Sequence, residues 1–363
     1  MPEPIEPHAQ PIPQTGAPEW APPPEDDNEA GLARQQRPQN VRAILFGADG
    51  LRAGWSALLF SGILAIFAFA ITTAIRAARH GGPRPPTEKL LSVAGTLKGE
   101  YGTFAVLLAA GLILSLIERR RFARYGIGAF TGRRAAQFVL GTILGLGVLS
   151  LLVFSLKVAG LLAFDGVLLH GAAAWHYGFL WFLGFLGVGF SEEAATRGFF
   201  QFTLTRGIAG LARAAKLSYR TSVVVGFWVT ALLFSLLFGV GHTGNAGESP
   251  FGIVSTMIIG FVFCFSLWRT GSLWWAIGYH AGWDWAQSFL FGTPDSGLLV
   301  QHHFLASHAI GRPLLSGGLT GPEGSIFDLA EIVLTTLIIA VALKPEPGSY
   351  ADPNWTPNDH PYR

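Results

Sequence analysis

The stretch WFLGFLGVGFSEEAATRGFF, residues 181–200, places three charged side chains directly after a run of apolar and small residues. Residues 181–190 suit the interior of a membrane, and Glu192, Glu193 and Arg197 follow immediately. Each charge at the centre of a membrane-spanning helix costs roughly 2.5–3.5 kcal/mol on insertion scales. The stretch therefore indicates either a functional site inside the protein or a helix that ends at the membrane surface.

The composition of the whole chain is that of an integral membrane protein. Half of its 363 residues are hydrophobic, 13% are charged and the mean hydropathy is +0.41, whereas a soluble domain carries about 25% charged residues. The predicted fold class is all-α, a polytopic helical bundle in contact with the lipid bilayer. A net charge of +2 gives no indication of nucleic-acid binding. Runs near the ~20 residues that cross a bilayer predict about eight transmembrane helices, at 54–75, 102–117, 136–156, 173–190, 222–241, 251–268, 272–291 and 324–343.

Both ends of the chain are predicted to be disordered. The first 40 residues contain ten of the 22 prolines and few apolar clusters, and the last 20, from Lys344, have a similar composition. Such segments cannot bury enough apolar surface to fold. We therefore predict a Pro-rich tail at 1–44, one membrane domain at 45–345 and a second tail at 346–363.

Arginine and lysine predict the orientation, because short cytoplasmic loops carry an excess of them. The basic residues before the first predicted helix, between the second and third, and between the fourth and fifth are Arg34, Arg37, Arg42, Arg52, Arg119, Arg120, Arg121, Arg124, Arg133, Arg134, Arg206, Arg213, Lys216 and Arg220. The connections after the third, fifth and seventh helices hold only Lys157 and Arg312. Both termini are therefore predicted to be cytoplasmic, in a multi-pass protein of a bacterial-type plasma membrane. The connection after the first helix is the exception, with Arg76, Arg79, Arg84, Lys89 and Lys98.

Residues 203–220 are too polar to span a membrane. At about 100° per residue, their basic side chains share one face, which predicts an amphipathic connector on the membrane surface. A charged cytoplasmic loop is the alternative. Elsewhere, Gly141 and Gly145 have the spacing that lets neighbouring helices approach closely.

Helical spacing separates the roles of the two adjacent glutamates. Glu193 and Arg197 stand at i and i+4, which favours an ion pair on the helix surface. Glu192 points about 100° away, so it cannot share that partner and is the candidate general base. If the fourth helix ended near residue 190, Glu192 and His242 would lie on opposite sides of the membrane. A site shared by both requires this helix to continue to about residue 205.

Two further polar clusters stand in apolar surroundings. Phe238 and His242 occur in FSLLFGVGH, and His280 and Asp284 occur in GYHAGWDW. Each pair has i, i+4 spacing, so its members share one helix face. A carboxylate that activates water, with histidines to hold the water or a metal, would suit hydrolysis. The alternatives are that His242 caps its helix and that His280 is a hydrogen-bonded packing residue.

In this order, EEAATRG at 192–198, FGVGH at 238–242 and HAGWD at 280–284 match the EExxxRG, FxxxH and HxxxN/D motifs of a known family. The chain thus resembles the CAAX protease and bacteriocin-processing family, which includes the type II CAAX prenyl endopeptidases and the abortive-infection proteins. The resemblance covers about residues 175–290.

The resemblance implies a membrane-embedded endopeptidase in which Glu192 activates the attacking water and His242 helps to hold it. His280 and Asp284 would contact the water or a metal and support the oxyanion, while Glu193, Arg197 and Phe238 would be supporting residues. Prenyl endopeptidases tend to carry Asn where this chain has Asp284. The family has been described both as metalloproteases and as glutamate proteases that need no metal. Zinc held by Glu192, His242 and His280 and a site without a cofactor therefore both remain open.

The implied substrate is a membrane protein or a lipid-tethered peptide, and its identity and the oligomeric state are not indicated. Two other functions stay open at this point. One is a noncatalytic protein of the same scaffold that acts in bacteriocin immunity or binds a partner. The other is a proton-coupled transporter that uses Glu192, His242 and His280 as a relay.

Overall fold

The computed structural model describes residues 44–47, 50–78 and 90–352, and helices dominate this part of the chain. The α-helices in the described residues are α1 (Ala53–Ala78), α2 (Val93–Glu118), α3 (Gly132–Val158), α4 (Gly171–Glu193), α5 (Gln201–Ala214), α6 (Tyr219–Gly241), α7 (Pro250–Thr270), α8 (Trp274–Asp284), α9 (Pro313–Ser316) and α10 (Asp328–Ala342). The strands form two antiparallel pairs, β1 (Phe46–Gly47) with β2 (Gly50–Leu51) and β3 (Leu162–Val167) with β4 (Leu305–Ala309).

Six helices in the described residues are long and apolar enough to cross a membrane, which confirms the predicted helical membrane bundle. They are α1, α2, α3, the continuous helix 171–214, α6 and α7. The last two predicted spans differ, because 272–291 forms the 11-residue α8 followed by a six-residue π-helical segment, and 324–343 forms the 15-residue α10. Fifteen residues rise about 22 Å, less than the hydrocarbon core of about 30 Å. Helix α8 is instead buried inside the bundle, where Trp275, Ile277 and Tyr279 are at most 1% exposed.

The helix that carries the two glutamates continues well beyond them, as the shared site required. Helix α4 runs without a break into a π-helical segment, Ala194–Phe200, and then into α5, which ends at Ala214. Part of the predicted surface connector is therefore inside the protein. Arg206 is only 7% exposed, donates to Ser56 and lies 3.6 Å from a carboxylate oxygen of Glu118. The prediction that Arg206 lies on the membrane surface is wrong, because a buried acid on α2 pairs with it.

Close packing of α3 against α8 confirms the role predicted for the glycines of α3. A Cβ atom on Gly141 would lie 2.2 Å from the Trp275 carbonyl oxygen, and one on Gly145 would lie 2.1 Å from that of Tyr279. The reciprocal contact is as tight, since a Cβ on Gly278 of α8 would lie 2.2 Å from the Phe138 carbonyl oxygen. The absence of side chains at these positions lets the backbone of α8 lie directly on α3.

A cap, defined here as residues 159–170 and 291–327, covers one end of the bundle. It contains the β3–β4 pair, whose register runs from Leu162 opposite Ala309 to Val167 opposite Leu305. The indole of Trp181 on α4 donates to the Gln301 carbonyl at 2.9 Å, which ties the cap to the helices.

The C-terminal segment is ordered further than its composition predicts. The tail predicted from residue 346 is structured up to residue 352, and Tyr350 is 7% exposed. Its ring packs on Phe227 and Trp268, while a Glu346 carboxylate oxygen lies 3.3 Å from the Arg134 guanidinium. The sequence did not indicate these contacts, because Phe227, Trp268 and Arg134 are distant in sequence from the C-terminal segment. Residues 1–43 and 353–363 of the predicted tails, and Arg79, Arg84 and Lys89, lie outside the described residues.

Candidate active site

The ring of His280 is the centre of the candidate site. Its Nε2 atom lies 3.7 Å from Glu192 Oε2 and 3.5 Å from Asp284 Oδ2, and its Nδ1 atom lies 3.3 Å from Glu193 Oε1. Both ring nitrogens thus face carboxylate oxygens. Only the doubly protonated imidazole donates from both nitrogens, so the arrangement suits a positively charged ring that can hold or release a proton.

Glu193 and Arg197 form the predicted i, i+4 ion pair. The two residues are 0% and 2% exposed, and Arg197 Nη1 donates to Glu193 Oε1. The guanidinium also donates from Nε to the Gly260 carbonyl at 3.2 Å and lies 4.5 Å from the centre of the Phe238 ring. A buried ion pair gains most when its remaining hydrogen-bonding groups are satisfied; here those of Arg197 are better satisfied than those of Glu193, whose Oε2 atom accepts no hydrogen bond from the described residues. These contacts fix Arg197 in a supporting position, and they fix the Glu193 carboxylate beside His280.

Glu192 is the glutamate that faces the open space. Its side chain is 35% exposed and lines a cavity of about 780 Å³. Its Oε2 atom accepts no hydrogen bond from the described residues, and the nearest basic group is His280 Nε2. The predicted divergence from Arg197 is confirmed, since Glu193 is the carboxylate that pairs with Arg197 among the described residues. Glu192 is therefore the carboxylate best able to contact a molecule in the cavity.

His242 caps the C-terminus of α6 and also lines the same cavity. The two positions predicted for it, at a helix end and at the site, are therefore compatible. Its Nδ1 atom lies 2.8 Å from the Phe238 carbonyl oxygen. A carbonyl only accepts, so Nδ1 carries the proton and Nε2 of the neutral ring is an acceptor. The Phe238 ring is 5.0 Å from the His242 ring and 6.3 Å from the His280 ring. Phe238 therefore packs against both imidazoles, as expected of a supporting residue.

Four of the six acidic residues that line the cavity were not predicted. The described part of its lining contains no Lys or Arg, and its carboxyl groups belong to Glu100, Glu192, Asp284, Asp295, Glu323 and Asp328. Asp295 accepts from Ser288 at 3.1 Å, and Glu323 accepts from the Ser296 hydroxyl at 3.0 Å. Removal from bulk water raises the pKa of Asp295 well above its usual range, and the neighbouring Asp284 and Glu323 add to the increase. Burial raises the pKa of Glu323 as well.

The sequence pattern indicated only some of the acidic residues in and near the cavity. Asp328 and Glu331 interrupt the last predicted apolar span, and charges inside such a span indicate function or pairing. Asp295 and Glu323 occur in Gly-rich connections without helical periodicity. Their approach to α8 depends on the folding of the cap, which no local pattern predicts.

The described residues do not fit a metal site. They contain no group of three or more His, Cys, Asp or Glu side chains arranged to hold a metal ion. Both nitrogens of His280 face carboxylates, and Nδ1 of His242 is bonded to a carbonyl. The predicted zinc ligation by Glu192, His242 and His280 is not supported, and the chemistry below uses no metal.

Comparison with known families identifies the part of the chain that contains this site. Residues 173–286 match the family model described as type II CAAX prenyl endopeptidase Rce1-like. The match includes the motifs at 192–198, 238–242 and 280–284, so the resemblance drawn from them is confirmed. Comparison with the curated proteins and with the solved structures gave no match.

Proposed function

Residues 173–286 match the Rce1-like family model of type II CAAX prenyl endopeptidases, and from this similarity we propose that the protein is an intramembrane endopeptidase. Its substrate is a membrane-bound or lipid-tethered peptide, and the nucleophile is a water activated by Glu192. The observation that carries the proposal is the cluster around His280, whose imidazole lies near three carboxylates. Of the two glutamates of the first motif, Glu192 is the one open to the cavity.

The proposed reaction begins with a water between Glu192 and the substrate carbonyl. Glu192 removes a proton from this water as the oxygen attacks the carbonyl carbon, the usual role of a general base. His242 supports the water through its Nε2 atom, which the bond from Nδ1 to the Phe238 carbonyl leaves as an acceptor. Collapse of the tetrahedral intermediate breaks the C–N bond, and the proton taken by Glu192 passes to the leaving amine.

His280 supplies positive charge beside the reacting carbonyl. A positive charge fixed before the reaction stabilises the developing oxyanion more than water does, because it does not reorganise. An ionised Asp284 is a poor oxyanion donor, since it can only accept. Its 3.5 Å approach to His280 Nε2 supports a different role, in which Asp284 orients the imidazole. Glu193 serves the same purpose at Nδ1.

The decisive experiment compares peptide termini in membranes that contain wild-type protein or a variant at matched levels. We expect C-termini that are present with wild type to be absent with Glu192→Ala and with Glu192→Gln, because the amide has no basic oxygen. Glu331→Gln is the matched control, since Glu331 is a buried acid of α10 that does not line the cavity. It should keep wild-type termini.

A noncatalytic scaffold predicts another result. Binding of a partner would survive the nearly isosteric change Glu192→Gln, and the termini would be the same in all samples. If deletion of the protein still changed the cell under those conditions, the proposal of proteolysis would be refuted.

A further inference from the structure

The cavity beside Glu192 extends beyond the residues of the three motifs. It continues between α7, α8, α10 and the cap, where Asp295, Glu323 and Asp328 line it. The matched family model ends at residue 286, so these three acids belong to a part of the chain that the model does not cover. We call Asp295, Glu323 and Asp328 the acid subsite.

Helix α8 and its π-helical continuation relate the acid subsite to the proposed catalytic centre. His280, Asp284 and Ser288 follow one another at intervals of four residues along this helix. Glu323 Oε2 lies 3.5 Å from the indole nitrogen of the residue before Asp284, and Asp295 accepts from Ser288 at 3.1 Å. The subsite therefore starts about one helical turn from His280 and extends to about two turns, or roughly 11 Å, along the helix.

Asp328 carries an oxygen atom that no described residue satisfies. The residue is 2% exposed, its Oδ2 atom accepts from Ser255, and its Oδ1 atom accepts no hydrogen bond from the described residues. Buried polar atoms in folded proteins nearly always have a hydrogen-bond partner. This oxygen is therefore a position at which a donor from a bound molecule would be stabilised.

The acids of the cavity repel one another when they are ionised. Burial raises the pKa of Asp295, and the negative charges of Asp284 and Glu323 raise it further. The described part of the lining contains no Lys or Arg that offsets these charges. A cation next to the carboxyl groups would favour their ionised form, and apolar walls would strengthen the attraction. The described residues include no group arranged to hold a metal ion, so the cation that fits is an organic one.

We propose that the acid subsite binds the basic side chain of a Lys or Arg that lies near the scissile bond of the substrate. This inference rests on the proposed protease function and narrows its substrate class. An extended peptide advances about 3.3 Å per residue, so the basic residue lies within about four positions of the bond held at Glu192. A basic residue farther along the peptide would pass beyond the acids.

Peptide binding tests the subsite without cleavage. The full chain with Glu192→Gln is purified in a non-ionic detergent and titrated with Ala–Leu peptides that are acylated at the N-terminus. One residue, placed in turn at each position, is Lys, norleucine or Glu. Norleucine keeps an unbranched side chain but has no charge, and acylation removes the terminal amine as a second cation.

We expect the Lys peptide to bind about tenfold or more tightly than the norleucine peptide at its best position, since a hydrogen bond to a charged group contributes at least this much. The Glu peptide should bind most weakly. Equal affinity of the three peptides at every position would overturn the inference. This comparison needs no change in the subsite, so it decides the question even if a subsite variant fails to fold.

Subsite variants on the same Glu192→Gln background locate the preference. Asp295→Asn and Glu323→Gln should each reduce the preference for Lys over norleucine. Glu331→Gln is the matched control, because Glu331 is a buried acid of α10 that does not line the cavity, and it should keep the full preference. An unchanged preference in both subsite variants, or an equal loss in Glu331→Gln, would overturn the assignment to the acid subsite.

The peptide termini of the preceding experiment separate this inference from the proposed function. If Glu192-dependent termini occur without an excess of Lys or Arg within four residues of the cleaved bond, the protease function stands and the proposed substrate class is wrong. If the Lys peptide binds preferentially but Glu192-dependent termini never occur, the acid subsite stands as a binding site for a basic side chain and the protease function falls.

Discussion

The position of His280 depends on the contact between α3 and α8. A Cβ atom on Gly145 of α3 would lie 2.1 Å from the Tyr279 carbonyl oxygen, whereas ordinary contact begins at 3.4 Å. Gly145→Ala therefore requires the two helices to separate by about 1.3 Å, the difference between these distances. Tyr279 directly precedes His280, so this separation displaces the imidazole relative to the carboxylates of α4.

Two effects of different size are expected from this displacement. Forcing an additional methyl group into a packed contact costs about 1–3 kcal/mol of folding stability, which the protein can survive. Misplacing a catalytic group by about 1 Å can lower the rate on the order of 100-fold. Gly145→Ala should therefore reduce cleavage much more than it reduces the amount of folded protein.

Gly147→Ala is the matched control, because it lies on the same helix and a Cβ there meets nothing within 4 Å. Both variants would be compared with wild type in detergent, by thermal unfolding and by the rate of Glu192-dependent cleavage per folded molecule. Equal unfolding temperatures and equal rates for Gly145→Ala and Gly147→Ala would refute the argument that this contact positions His280.

Three further perturbations follow from other contacts, each measured by unfolding in detergent. Arg197→Leu removes the guanidinium from the buried Glu193, which then has only His280 as a partner among the described residues, and should cost about 3–5 kcal/mol. Adding Glu193→Gln should restore part of this loss, and no restoration would contradict the pairing. Because the pKa of Asp295 is raised in the folded protein, its contribution to stability is lost as pH rises above about 3.9. Asp295→Asn should flatten this decline, and parallel pH profiles would contradict it. Tyr350→Ala should cost about 3 kcal/mol, because it removes a buried aromatic ring, and an unchanged unfolding temperature would contradict the packing of this ring.

Much of the candidate site could be predicted because its residues follow helical geometry. The i, i+4 rule identified the Glu193–Arg197 pair and the shared face of His280 and Asp284, and both arrangements occur. The sequence also predicted that the fourth helix continues past residue 190. A helix ending there would have placed Glu192 and His242 on opposite sides of the membrane, too far apart to share a site. Such predictions succeed because both partners belong to one helix, whose geometry the sequence determines locally.

The features that were missed involve partners distant in sequence. Nothing near Arg206 indicates that it pairs with Glu118 inside the bundle, and nothing near Tyr350 indicates its contacts with Phe227 and Trp268. Hydropathy also predicted α8 as a span, because it measures apolar character and does not distinguish lipid contact from burial in protein. Helix α8 is apolar because other helices surround it.

The motif residues that do not contact His280 have an equally definite physical role. A Cβ on Gly198, the glycine of EEAATRG, would lie 2.8 Å from the Tyr125 carbonyl oxygen, and one on Gly282, in HAGWD, would lie 2.3 Å from that of Thr142. Each glycine thus lets a polar helix approach a neighbouring backbone.

Both polar helices also change geometry directly after their carboxylates. A π-helical segment, Ala194–Phe200, follows Glu193, and another, Trp285–Leu290, follows Asp284. Such segments are rare and occur frequently at functional sites, because they leave backbone groups without their usual partners. Here threonine hydroxyls donate to two of the backbone carbonyls. Thr196 donates to the Glu192 carbonyl at 2.6 Å, and Thr293 donates to the Gln287 carbonyl at 2.9 Å. The motifs therefore specify the carboxylates together with the backbone that holds them around one imidazole.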